Sequence, residues 1–111
     1  MTLDSLRTLC LSFPGATEGM KWEVDICFMV GEKMFCVTGT DGHVSLKLTP
    51  EAFTELTERD GIIPSPYLAR NHWVSVRHFS NLKTAEWKQY IRMSYDLVRA
   101  KLPKKVQAGL T

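Results

Sequence analysis

The sequence predicts an α+β fold in which helices pack on an antiparallel sheet, in the order α-βββ-α-β-α. Three observations predict it. Two hairpin turns, taken separately, place overlapping sets of apolar residues on one sheet face. Helical apolar stripes lie before and after them, and a short alternating run follows late in the chain. Residues 1–111 read as one domain, uninterrupted by a repeat, a low-complexity tract or a linker.

Leu3, Leu6, Leu9, Cys10 and Phe13 recur at helical spacing, with Thr2 or Asp4 available as a cap and Pro14-Gly15 as the stop. From Trp22 to Val30 the period becomes two. Val24, Ile26, Phe28 and Val30 point one way, with Trp22 continuing that core face, while Glu23, Asp25, Cys27 and Met29 point the other. Gly31-Glu32 reads as a type II′ turn that pairs Val30 with Lys33, Phe28 with Phe35 and Cys27 with Cys36. Asp41-Gly42 is a second hairpin signal, pairing Val37 with Leu46 and Phe35 with Leu48. Both registers put Phe28, Phe35, Val37, Leu46 and Leu48 on one face of a three-stranded meander over about residues 22–48.

Thr49-Pro50-Glu51 starts a short helix with a hydroxyl cap, proline at its first position and an acid in its first turn. Ala52, Phe53 and Leu56 are its buried stripe, and Asp60-Gly61 ends it. Pro64 and Pro66 keep the next segment extended, and about residues 73–77 alternate as a fourth strand. Asn81 and Thr84 precede a long helix with Trp87, Ile91, Tyr95 or Ser94, Val98 and Leu102 on one stripe. Pro103 interrupts it, and Lys104-Lys105 opens a basic tail.

Apolar residues make up 44% and charged residues 23% of the chain, which excludes a disordered polyampholyte and fits a soluble globular protein. No apolar run approaches the ~20 residues of a membrane helix, so no membrane partner is expected, and no signal-peptide pattern is present. Cys10, Cys27 and Cys36 form no CxxC pair, as expected of a reduced, cytoplasmic protein. Charge is unevenly divided. Residues 1–58 hold four Lys/Arg and nine Asp/Glu, whereas residues 59–111 hold ten against three. Such a basic half either meets an anionic partner or is a solvated helix face.

No GxSxG elbow, Walker loop, HExxH or paired-carboxylate motif appears, and Ser75 and His78 fall on opposite faces of a strand, so no catalytic residue is named and no enzyme is expected. The inferred register sets Cys27 opposite Cys36, roughly 4.5–5.5 Å apart at Cβ, where a disulfide or a soft-metal pair is conceivable. Two reduced thiols among methionines is the plainer reading. His43, His72 and His78 show no metal-ligand spacing, so neither metal nor cofactor is expected.

Arg70, His72, Arg77, His78 and Lys83 surround Tyr67 and Trp73, a mixture of cations and stacking surfaces that suits nucleic acid. Lys47 joins them from the sheet face opposite the core, beside Cys36, and Lys104 and Lys105 extend the field. In SPYLARNHWVSV (65–76), Tyr67 and Trp73 serve mainly as aromatic support, leaving Arg70, Asn71 and His72 as an exposed tip. The expected function is non-enzymatic binding of DNA or another polyanion by phosphate neutralisation through Arg70, His72, Arg77, Lys47, Lys104 and Lys105. The alternative is a protein-interaction or small-ligand module on the second sheet face, lined by Cys27, Met29, Met34 and Cys36. Glu18 is assigned a cation of the 70–78 segment by charge complementarity alone.

FPGATE (13–18), Trp22, FMVGEKMFCV (28–37), SLKLTPE (45–51), PSPYLARNHWVSV (64–76) and SYDLVRAKLPKK (94–105) resemble, in order and nearly end to end, the MmcQ/YjbR family of small bacterial proteins. The resemblance implies a two-layer sandwich related to the CyaY-like (frataxin-like) fold and to the double-wing DNA-binding module. It adds DNA as a partner and brings no catalytic residues. A frataxin-like iron role wants clustered carboxylates, and only Asp4 precedes residue 18.

Overall fold

The computed structural model describes residues 1–21, 25–66 and 71–110. Trp22 and Val24 of the expected first strand lie outside them, as do Tyr67 and Arg70. The elements are α1 (Leu3–Leu11), β1 (Ala16–Lys21), β2 (Asp25–Val30), β3 (Lys33–Thr38), β4 (Val44–Lys47) and α2 (Pro50–Thr57). Then come β5 (Ile62–Pro64), β6 (Trp73–Val76), a 3₁₀ turn (Phe79–Asn81), α3 (Thr84–Ala100) and α4 (Lys104–Ala108). The strands form one six-stranded antiparallel sheet in the order β1-β2-β3-β4-β6-β5. The class is α+β, as expected.

Helix starts follow their local chemistry. The Thr2 hydroxyl accepts from Ser5 N–H and the Ser5 hydroxyl accepts from Thr2 N–H, so Thr2, not Asp4, caps α1. Thr49 accepts from Ala52 N–H with Pro50 at the first position of α2. Thr84 is the first residue of α3, and the Glu86 carboxylate reaches back to Lys83 N–H. These helices bury Leu6 and Cys10, Ala52 and Leu56, and Trp87, Ile91, Tyr95 and Val98 against one sheet face, which contributes Phe28, Val30, Leu46, Val74 and Val76. Burial of these side chains is the main stabilising term of the domain.

Two strands were not foreseen, and both are edges. β1 reads ATEGMK, poor in β-branched and aromatic residues, and pairs only with β2. Its Glu18 pairs at 2.8 Å with Arg7 of α1, correcting the partner assigned from charge complementarity. β5 is three residues long and ends in Pro64, a residue tolerated in sheets at edges.

Both expected hairpin registers need correction by one residue. At Gly31-Glu32 the pairing starts as expected, Val30 with Lys33, but Gly31 and Glu32 both have positive φ (55° and 67°), the type I′ rather than the type II′ conformation. A bulge between Phe28 and Met29 then shifts the ladder, so Phe28 faces Cys36 and Cys27 faces Val37. The second hairpin closes from Gly39 to His43 around a three-residue loop, with Gly42 at φ 85°, so Leu46 faces Cys36 instead of Val37.

Because strand side chains alternate, each shift exchanges faces. Val37 moves to the face away from the helices, and Cys36 moves into the core beside Cys10. The hydrogen bond with Cys10, together with burial, pushes the Cys36 thiol well above its usual range, which keeps it protonated and inert. Cys27 and Cys36 therefore lie on opposite faces, and no disulfide can join them. Phe35, the extra residue at the bulge, stays in the core, so Phe35 and Cys36 are both buried there in succession.

Candidate functional site

The face away from the helices has its own small cluster, Cys27, Val37 and Trp73 with Met29 and Met34 against it. Every member is a strand residue. Cys36, expected on this face, is absent from it. The ladders define one row across all six strands: Gly19, Cys27, Val37, Ser45, Ser75 and Ile63, each directly opposite the next. Continuing the ladders by one residue gives a parallel row with Asp25, Gly39, His43 and Arg77.

Over these rows lies a groove of about 850 Å³, in the range that holds small organic ligands. Its floor is Val37, Ser45 and Ser75; Met34, Ile63, Ser65 and Pro66 flank it; Asp25, Asp41 and Arg77 supply charge, and His43 an imidazole. Among the described residues, no helical side chain lines it.

The three serines define its chemistry. Ser45, Ser65 and Ser75 are each only 6% exposed, and among the described residues none of their hydroxyls has a hydrogen-bond partner. No fully enclosed side-chain polar atom lacks a partner in the described residues, so these oxygens keep their remaining access through the groove. Serine is also a poor choice for the middle of a strand, where β-branched residues pack better. By contrast Thr38, equally buried on the core face, donates to the His43 carbonyl at 2.9 Å.

His43 is held in place from two sides. Its Nδ1 contacts Asp41 Oδ1, and its backbone N–H donates to the same oxygen at 3.1 Å. These hydrogen bonds hold the Asp41 carboxyl below the usual carboxylate range. The ring also lies close over Gly39. A Cβ there would meet His43 Cε1 at 2.5 Å and Asp25 Oδ1 at 3.1 Å, so only glycine leaves room for this ring.

Among the described residues, those predicted for nucleic-acid contact are spread over more than one part of the fold. His72 has φ 62° and sets its ring edge-on against Phe53 of α2 at 5.5 Å. Trp73 is buried on the groove face, and Asn71 is exposed. Lys47 lies opposite Trp73, not beside Cys36, and burial with the charge of Lys101 lowers its pKa. Lys104 and Lys105 begin α4 just beyond that end of α3. Arg77 stands four residues along β6 from Trp73, roughly 13 Å from Lys47's end of the sheet. Other cations are engaged: Arg59 grips Glu86 through both terminal nitrogens, at 2.7 and 3.3 Å, and holds the Glu86 carboxyl down at about 2. Arg92 pairs with Asp96 at 3.1 Å. The sequence reading missed Ser45, Ser75, Asp41 and His43. The available signal was a serine inside each of two short strands, VSLK and WVSV, between β-branched or apolar neighbours.

The family model for YjbR matches residues 11–97. The chain belongs to the YjbR family. The YjbR fold seen here is similar to the crystal structure of Deinococcus radiodurans protein DR2400, which carries a DUF419 domain. The TM-score is 0.88 and the identity 28%, over 98% of this chain and 87% of that one. Among curated proteins, none matches. All six strands and every groove residue named above fall within the matched YjbR span, whereas Lys101, Lys104 and Lys105 lie beyond it. No helix among the described residues of the YjbR chain is long and apolar enough to cross a membrane.

Proposed function

We propose that this YjbR domain binds a small molecule in the groove on the helix-free face of its sheet. One observation carries the reading: three serines, each only 6% exposed, line a single groove, and their hydroxyls have no hydrogen-bond partner among the described residues. No enclosed side-chain oxygen among the described residues lacks a partner, so these hydroxyls open to the groove, where a ligand or water completes their hydrogen bonds. A hydroxyl both donates and accepts, so the pair Ser45–Ser75 can meet a hydroxyl, an amide or an acid equally well. The apolar flank of Val37, Met34 and Ile63 supplies the contact area.

The test exploits the mismatch between these serines and their strands. The double substitution Ser45→Val, Ser75→Val is expected to raise stability by about 1 kcal/mol, a few degrees in Tm, because valine suits a strand centre. It should also abolish fragment-induced shifts of backbone amides at Val37, Ser75 and Arg77 in ¹⁵N–¹H spectra. A lower Tm, or fragment hits mapping only outside the groove, would refute the proposal.

A second reading, DNA or polyanion binding, rests on the gathering of Lys47 and Lys101 at the sheet end from which Lys104 and Lys105 continue. Four phosphate contacts there give an expected log–log salt slope near −3.6, at about 0.9 per contact on duplex DNA. Substituting the four lysines by glutamine should flatten it. Absence of binding at low salt, or indifference to salt, excludes this reading.

A further inference from the structure

The arginines of the fold are used unequally. Arg7, Arg59 and Arg92 each hold a carboxylate within 3.1 Å or less. Arg77 has no acidic partner among the described residues, although it lies on the same sheet face as Asp25 and Asp41. Its backbone is nonetheless anchored, the N–H donating to the Gly61 carbonyl at 2.8 Å, so the side chain springs from a fixed point at the end of β6. One residue beyond the last ladder pair, Val44 with Val76, His43 follows on the neighbouring strand; its Nδ1 is taken by Asp41, and its Nε2 has no partner among the described residues. One row further along lie the hydroxyls of Ser45 and Ser75.

From this arrangement, and resting on the groove reading above, we infer that the ligand is a small organic anion whose carboxylate or phosphate head sits between Arg77 and His43. The guanidinium fork matches a carboxylate or phosphate bidentately. The serine hydroxyls, next along both strands, donate to the head or take a polar group just behind it, and Val37, Met34 and Ile63 line the path of an apolar body. Both acids of the groove adjoin His43 rather than Arg77. Asp41 is engaged by His43, and Asp25, whose backbone on β2 is three strand spacings or roughly 14 Å from Arg77, brings its Oδ1 to the same Gly39 position that the His43 ring covers, so Arg77 alone supplies the cation.

Benzoate and benzamide test the assignment, being close in shape and different in charge. Titrated into the ¹⁵N-labelled domain, benzoate is expected to shift the amides of His43, Ser45, Ser75 and Arg77, with an affinity at least tenfold above that of benzamide. Arg77→Gln, at an exposed side chain, should leave Tm unchanged and reduce benzoate to the level of benzamide. Arg77→Lys should retain part of the difference, since it keeps the charge and loses the fork. Equal binding of the two probes in the groove, or an affinity for benzoate that survives Arg77→Gln, overturns the anion assignment and leaves the groove reading standing. Shifts confined to residues outside the groove overturn both. No shift with benzoate overturns the anion assignment, and the fragment screen then decides the groove on its own.

Discussion

Replacing Ser94 by alanine is expected to lower the stability of this YjbR domain by about 2–4 kcal/mol, seen as a lower urea midpoint at unchanged slope. The reason is a gap in the sheet. The β3–β4 ladder pairs Thr38 with Val44, Val37 with Ser45 and Cys36 with Leu46. The next pair would be Phe35 with Lys47, beside the bulge, and there the ladder stops. The Ser94 hydroxyl, projecting from α3, fills the gap: Lys47 N–H donates to its oxygen at 2.9 Å, and its own O–H donates to the Phe35 carbonyl. Ser94 is fully buried. Alanine leaves a buried donor and a buried acceptor unpaired at once, each costing about 1–3 kcal/mol. A loss within the ±0.5 kcal/mol typical of surface changes would show that the two strands can close the gap without α3.

Phe35→Ala should cost more, about 3–5 kcal/mol by the same measurement. The ring is fully buried and meets Tyr95 edge-on at 5.4 Å and Phe13 at 6.1 Å, while those two rings lie 4.8 Å apart. Tyr95 in turn donates its hydroxyl to the Pro14 carbonyl, and the Arg92 guanidinium lies 5.5 Å over Phe13. The trio joins the exit of α1, the bulge of β3 and the middle of α3, so the cavity left by alanine has walls from three elements that cannot all collapse into it. Phe35→Leu, which keeps most of the volume, should cost less than half as much. Equal losses for the two variants would mean that aromatic geometry, not cavity volume, sets the energy.

Local chemistry was readable in the sequence wherever a few neighbouring residues decide the outcome. Thr49-Pro50-Glu51 capped its helix as expected, the stripe Trp87, Ile91, Tyr95, Val98 faced the sheet, and Gly31-Glu32 turned between Val30 and Lys33. The edge strands were not readable, because β1 and β5 depend on a neighbour's free hydrogen-bonding edge more than on their own residues. The candidate site was readable as separate cations and, with Cys36 misplaced, as a second sheet face bearing Cys27, Met29 and Met34. Lys47 and Arg77 look equivalent in the sequence, yet one stands near Lys101 and the other across from His43.

The sequence by itself determined the fold class, the first three helices and the cap of α2, the positions of both hairpins and the YjbR kinship, since each follows from spacing or from ordered motifs, whereas α4 was read as a basic tail. Only the tertiary structure decided which face each strand residue takes. Strand side chains alternate with period two, so a single bulge at Phe28/Met29 and one extra loop residue before His43 are enough to exchange Cys36 for Val37. That exchange sends one thiol into the core and sets Val37, Ser45 and Ser75 side by side on the open face, where the groove lies. Both hairpin readings satisfy the same turn residues. The choice between them falls to long-range contacts, chief among them the seating of Phe35 against Tyr95 and the Ser94 hydroxyl that closes the ladder.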